Sequence, residues 1–277
     1  MQGKANIYLL LSTLFFSSMQ ALVKDLSHIP IYQLIFFRAS ISFVICLIDL
    51  KDKNIPFFGN NKTLLIARGV FGVVSLSGFY YSLHHIPLAI AISVTNLRPI
   101  IILFLGSIFL NEKVKPVIWV FFIISFFGVV LMSSFDARIT AAEMSLLVFA
   151  TVVSCFSAIA VRKLKATDHP LVVVFYFSLI TLPVCTPFAI YYWVTPYDYL
   201  DWLKLVGVGL CTHFAQYFMT KGFHISKFKG MASFSYLGLF FAFLFGYLFF
   251  GENYSMYVYI GMAVVLTGLF GTFFFKD

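Results

Sequence analysis

Apolar residues run along this chain in ten stretches of about 17–25 residues, the length that carries a helix across the hydrocarbon core of a bilayer. They fall at about 6–23, 31–50, 63–84, 87–110, 115–134, 141–161, 169–193, 200–222, 229–250 and 254–275. Short connections marked by polar residues or by Pro30, Pro56, Pro87, Pro116, Pro170 and Pro196 separate them. None is long enough to hold a soluble domain, so the pattern predicts an all-α integral membrane protein with ten transmembrane helices. The fourth stretch, Pro87 to Glu112, differs from the rest: Asn96, Arg98 and Pro99 stand almost at its centre. An arginine at mid-membrane costs about 2.5–3.5 kcal/mol on insertion scales, so Arg98 should face protein or water. Pro99 removes a backbone hydrogen bond and leaves a carbonyl free beside it. Charge and helix break at one depth point to a site.

Displacing the chain against itself by 140 residues aligns Ser17 with Ser157, Pro30 with Pro170, Phe37 with Phe177, Gly69 with Gly209, His84 with His224, Glu112 with Glu252 and Gly128 with Gly268. One gap-free offset spans both halves. The expected units are residues 1–138 and 139–277, each with five helices. Five is odd, so the second unit enters the membrane upside-down relative to the first. Inverted repeats of this kind are characteristic of secondary transporters, whose substrate sites lie near the midplane. The apolar run after Lys4 is read as a retained helix rather than a signal peptide, because the repeat requires it.

Composition agrees: 61% of residues are hydrophobic, 11% are charged, and the mean hydropathy is +0.96. The net charge of +8 could suggest nucleic acid, but the basic residues sit in short connections. Lys4, Lys51, Lys53, Lys62, Arg68, Lys113, Lys115, Arg162, Lys163, Lys165, Lys221, Lys227, Lys229 and Lys276 fall on one side, against Lys24, Arg138 and Lys204 on the other. This is the positive-inside distribution, which excludes nucleic-acid binding and predicts a multi-pass protein of the cell inner (cytoplasmic) membrane with both termini cytoplasmic. Arg38 and Arg98 are left as intramembrane charges. Cys46, Cys155, Cys185 and Cys211 lie singly in apolar segments and read as small buried hydrophobes.

The runs Arg68-Gly69-Val70-Phe71-Gly72, Tyr80-Tyr81-Ser82-Leu83, Ile86-Pro87-Leu88-Ala89, Arg98-Pro99-Ile100-Ile101 and Phe109-Leu110-Asn111-Glu112-Lys113, with a weaker second copy ending Phe249-Phe250-Gly251-Glu252-Asn253, resemble the EamA type of the drug/metabolite transporter superfamily. The resemblance covers essentially the whole chain. It implies ten helices, cytoplasmic termini, and a central cavity lined by the first, third, fourth, sixth, eighth and ninth. It also implies export or exchange of amino acids and other small metabolites by alternating access. Many relatives carry a small or polar residue where this sequence has Arg98, and that departure argues against assuming a neutral or zwitterionic cargo.

Arg98 has no acidic partner in the apolar segments: Asp49, Glu112 and Glu252 sit at helix ends, and Glu143 near the start of the sixth helix. It either bonds helix carbonyls, including the one freed by Pro99, or anchors a substrate carboxylate or phosphate. Thr95 shares its face at i, i+3. Asn96 points elsewhere and is assigned, with Pro99, a structural role. Arg38, about eight residues or 12 Å into the second helix, is also read as structural, bonding carbonyls or snorkelling toward the outer surface. His213, Gln216, Tyr217 and Thr220 form one polar face on the eighth helix, as do Thr13, Ser17, Gln20 and Lys24 on the first. Ser77, Tyr80 and Tyr81 on the third helix, Thr151, Ser154 and Ser157 on the sixth, and Ser235 and Tyr236 on the ninth add further polar groups. Scattered Ser and Thr residues are expected to join helices. His213 is either a proton-coupling group or a neutral hydrogen-bonded one, and His84 and His224 read as structural. Gly106, Gly128, Gly238, Ala242, Gly246 and Gly268 are assigned to packing and rocking surfaces, and Glu112 with Lys113 to an interfacial ion pair.

The expected protein is a secondary transporter of small polar metabolites, amino-acid-like or anionic, S-adenosylmethionine being within that class. Its midplane site is built from Arg98, Thr95, Tyr80, Tyr81, Gln216, Tyr217, Tyr236, Ser17, Gln20 and His213. It needs no cofactor or metal, and its partners are the substrate and the lipid bilayer, as a monomer or homodimer. The rival readings are a membrane channel, which usually shows charged rings built by oligomeric symmetry, and a membrane-embedded enzyme, which would need facing acid or histidine pairs that the sequence lacks.

Overall fold

Prolines and short polar side chains start the helices. Pro30 and Pro87 stand immediately before helices, and Pro116 and Pro170 are first residues, where a missing N–H costs nothing. The Asn61 side chain accepts from Leu64 N at 3.2 Å. Thr140 and Glu143 cap each other's backbone N–H groups at 2.9 and 3.2 Å, a capping box. The structure is a computed structural model that describes residues 2–109, 116–134, 139–164, 167–225 and 230–274, without the side chains of 2–6, 99, 103, 106–109, 118, 133–134, 162, 220–225, 230–237, 269 and 272–274.

Among the described residues all regular structure is helical: α1 (Gln2–Asp25), α2 (Ile31–Asp52), α3 (Lys62–His85), α4 (Leu88–Thr95), α5 (Arg98–Phe109), α6 (Pro116–Ser134), α7 (Ala141–Leu164), α8 (Pro170–Tyr191), α9 (Tyr199–Ile225), α10 (Gly230–Phe250) and α11 (Met256–Phe274). Five of these, α1, α2, α3, α7 and α8, contain segments long and apolar enough to cross a membrane. Large apolar side chains such as Ile123, Phe127, Phe149 and Tyr191 stand exposed on the bundle's outside, as a lipid-facing surface requires.

The fourth predicted helix is two helices. α4 ends at Thr95 and α5 begins at Arg98, leaving Asn96 and Leu97 at the break. Pro99 explains it, because it has no N–H to offer the Thr95 carbonyl and its ring crowds that position. Leu97 N instead bonds Val94 O at 3.1 Å, and the Leu97 carbonyl receives Ile100 N and Ile101 N at 3.0 Å each.

The main helix pairings are α1 with α9, α3 with α7, α2 with α8 and α9, α3 with α8, and α6 with α11. At the α6–α11 seam a Cβ on Gly128 would lie 2.7 Å from Gly261 O, and one on Gly268 2.0 Å from Ser125 Oγ, so glycine is what lets these backbones touch. Gly246 works differently from the packing role expected of it. A Cβ there would meet Glu252 Oε2 at 2.6 Å and Tyr254 Oη at 2.9 Å, so it makes room for the turn after α10 rather than for a neighbouring helix.

One end of the bundle is tied by polar side chains. Lys24 Nζ pairs with Glu252 Oε1 at 2.9 Å and donates to Ile86 O at 2.8 Å. Glu252 also accepts from Leu88 N and from the Tyr254 hydroxyl. His28 meets Asp201 at 2.8 Å, Lys204 meets Asp25 at 2.6 Å, and the Gln33 amide bonds both backbone groups of Val194. The expected Glu112–Lys113 pair lies outside the described residues, as do the side chains of His224 and Gly106's surroundings.

Candidate substrate-binding site

Arg98 is the first residue of α5, where the helix dipole favours an anion. Its carbonyl receives Cys155 Sγ of α7 at 3.7 Å. The side chain is exposed. No ion pair among the described residues includes Arg98, Arg38 or Arg68. Thr95 turns its hydroxyl onto Ile92 O at 2.9 Å, and Asn96 closes α4 through its N–H to Ile92 O at 3.0 Å.

A cavity of about 10 Å³ lies between α2, α3, α8 and α9, lined by Ile35, Arg38, Ala39, Ser42, Leu76, Phe177, Ser178, Thr181, Thr212 and Gln216. That is about the space of one water. Arg38 is 7% exposed, and its Nε and Nη1 have no acceptor. It neither bonds carbonyls through those groups nor reaches the end of the bundle. Its guanidinium sits between two rings, 5.7 Å from Tyr80 and 5.8 Å from Phe177.

The structure brings some of the expected site residues together and separates others. Gln216 lines the cavity. Tyr80 is fully buried behind Arg38, with its hydroxyl on Met19 Sδ at 3.3 Å and Thr212 beside it. Tyr81 is exposed and stacks on His85 with ring centroids 4.1 Å apart. Tyr217 is also exposed, with its ring against Phe218. Ser17 is buried, Gln20 is half-buried, and His213 is half-buried with its ring edge-on to Phe214. The side chains of Tyr236, Ser235 and Thr220 lie outside the described residues. Of the scattered hydroxyls, Thr13, Thr151 and Ser154 bond carbonyls of their own helix, whereas Ser157 reaches Arg68 O across helices at 3.2 Å. His84 bonds Val23 O at 3.0 Å, a structural contact.

Arg68 is the residue that sequence reasoning counted on the wrong list. Grouped there with loop cations, it turns inward from α3, with Cζ 4.1 Å from the Phe177 ring and an Nε that is buried without an acceptor. Its depth was the available signal: six residues past the start of α3 is about 9 Å into the helix.

A central polar cavity in an all-helical apolar bundle narrows the class, and comparison with known proteins gives the family. The EamA-like transporter family model matches residues 3–134 and again 142–274. The chain belongs to the EamA-like transporter family. It is similar to the pseudopaline exporter of Pseudomonas aeruginosa, with 26% identity over 244 residues covering 87% of this chain and 86% of that one. It is also similar to the S-adenosylmethionine uptake transporter of Rickettsia prowazekii, with 26% identity over 227 residues, 80% of this chain and 75% of the relative. Solute carrier family 35 member G1 of Homo sapiens is 28% identical over 272 residues, 90% and 73% of the two chains. A solved crystal structure shares the fold at a TM-score of 0.67 and 18% identity, covering 97% of this chain and 96% of the other. This EamA-like protein is therefore a multi-pass small-molecule membrane transporter, and its relatives include both an exporter and an uptake carrier.

Proposed function

We propose that this transporter is a secondary carrier of small polar metabolites bearing at least one anionic group, working by alternating access between two inverted five-helix repeats. The observation that carries this reading is Arg98: a guanidinium without a carboxylate partner among the described residues, at the head of the second half of a broken helix. Half-helix N-termini at a break are where such carriers hold anionic groups, because the helix dipole adds to the side-chain charge. Arg98 is the anchor in this reading, with Thr95 beside it. Gln216, Tyr80, Tyr81, Tyr217, Tyr236, Ser17, Gln20 and His213 complete the path that the cargo follows.

Two features support the inverted repeat. The family model fits each half separately, and close contacts are reciprocal across the 140-residue offset. A Cβ on Gly69 would meet Ile180, and one on its mate Gly209 would meet Ile41, one position beyond the mate of Ile180. Gly128 faces Gly261 and Val265, while its mate Gly268 faces Phe121 and Ser125, the mates of those two residues. Such exchange of partners is what a two-fold relation between halves produces. The positive-inside distribution supports a reading with both termini on the cytoplasmic face of the inner membrane.

Arg98→Ala tests the anchor. In proteoliposomes, uptake of an anionic metabolite first found by thermal-shift screening should weaken about thirtyfold, the effect of about 2 kcal/mol from the loss of a charge-assisted hydrogen bond to the cargo. The purified variant should stay monodisperse. Undiminished transport would sink the anchor.

A further inference from the structure

We propose that Arg38 and Arg68, set around Phe177, form a second cationic subsite, so that the cargo carries two negative charges, as a phosphate or as a pair of carboxylates.

Both guanidinium groups lie within 6 Å of one ring: Arg38 Cζ is 5.8 Å and Arg68 Cζ 4.1 Å from the Phe177 centroid. Arginine stacks well on an aromatic face, but stacking leaves its in-plane N–H donors unsatisfied. Those donors are unsatisfied here, since Arg38 Nε and Nη1 and Arg68 Nε are buried and have no acceptor. A buried cation without an anion, with a second beside it, is unfavourable in the empty protein. The polar groups that line the adjoining cavity with Arg38, from Ser42, Ser178, Thr181, Thr212 and Gln216, are hydroxyls and an amide, with no carboxylate to neutralise the pair. The missing component is an anion with several acceptor oxygens, which forked guanidinium donors match well.

The local sequence makes room for this arrangement. A Cβ on Gly72 would lie 2.6 Å from Phe177 Cε2 and 2.8 Å from Arg68 Nη1, so glycine there lets the guanidinium lie on the ring. Neither arginine has a counterpart in the other repeat: the 140-residue offset sets Ser178 opposite Arg38 and Val208 opposite Arg68. The charge belongs to one half only, as a specificity element would. The cavity holds about one water in this conformation, so an arriving anion must part the helices around it. Relief of the unpaired charge favours that expanded state.

Anion binding stands on the geometry alone. That the anion is the cargo rests on the transporter reading above. Purified full-length protein is titrated with inorganic phosphate, succinate or acetate at constant ionic strength and followed by thermal denaturation. Phosphate and succinate are expected to raise the melting temperature at concentrations where acetate does not. Arg38→Gln and Arg68→Gln should each need roughly ten- to hundredfold more phosphate for the same shift, the loss of a charged hydrogen-bonding group. Both variants should melt no lower than the wild type when no anion is present, because each removes a cation with buried N–H donors that lack an acceptor. Lys62→Gln, an exposed cation on the same helix, should leave the phosphate response unchanged. A phosphate response that survives both arginine substitutions overturns the subsite, as does an anion-free Arg38→Gln that melts well below the wild type with its response intact. An equal response to acetate overturns the doubly charged cargo. None of these readouts uses transport, so failure of the subsite and failure of the carrier reading can be told apart.

Discussion

Charge inside this protein is handled in two ways, residue by residue. Lys24 and Glu252 are paired: the ion pair is 2.9 Å long, Lys24 also bonds the carbonyls at the end of α3, and Glu252 accepts the first free N–H of α4. Arg38, Arg68 and Arg98 have no carboxylate among the described residues. The paired group reads as scaffold and the unpaired group as binding chemistry, and the two should respond oppositely to substitution. Glu252→Ala leaves the half-buried Lys24 without its carboxylate and Leu88 N–H without its acceptor, a loss of about 2–4 kcal/mol. The expected result is a much lower melting temperature in detergent, partly restored by adding Lys24→Met. If the double variant is no more stable than Glu252→Ala alone, the pair is not the source of the effect.

Helix by helix, much of the structure was readable from the apolar stretches and the prolines. Pro99 in a long apolar run was enough to expect the break between α4 and α5, because a missing N–H acts locally. The side-chain environments were less readable. Gly246 and Gly268 look alike in sequence, as small residues on apolar helices, yet one accommodates Glu252 and Tyr254 and the other a helix seam. Arg68 resembled a loop cation because membrane depth cannot be assigned within two turns of a helix end, where long side chains reach either way. Tyr80 and Tyr81 are adjacent, but neighbouring residues face about 100° apart on a helix, and only Tyr80 meets Arg38. The seam itself makes a prediction. Gly268→Val places its Cβ 2.0 Å from Ser125 Oγ and 2.6 Å from Phe121 O, one of them backbone. Separating α6 from α11 should cost about 1–3 kcal/mol, seen as a lower melting temperature in detergent. Unchanged melting would mean that the two helices do not pack this closely.

At the scale of the whole molecule, the tied end and the small cavity belong together. Lys24–Glu252, His28–Asp201, Lys204–Asp25 and Gln33–Val194 hold the ends of α1, α2, α8, α9 and the turn after α10 to one another. The cavity beside Arg38 holds little more than a water. In the carrier reading this is a conformation shut on the tied face, and cargo exchange requires the halves to rock until that face opens and the other closes. A channel would pass its solute without such a cycle. Solute counterflow separates the two most directly: proteoliposomes loaded with an excess of an unlabelled anionic metabolite that stabilises the purified protein, diluted into a trace of the labelled compound. A carrier should accumulate label transiently above its equilibrium level, saturate with rising substrate, and lose the overshoot in Arg98→Ala. Monotonic equilibration without overshoot, rising linearly with concentration, would contradict alternating access.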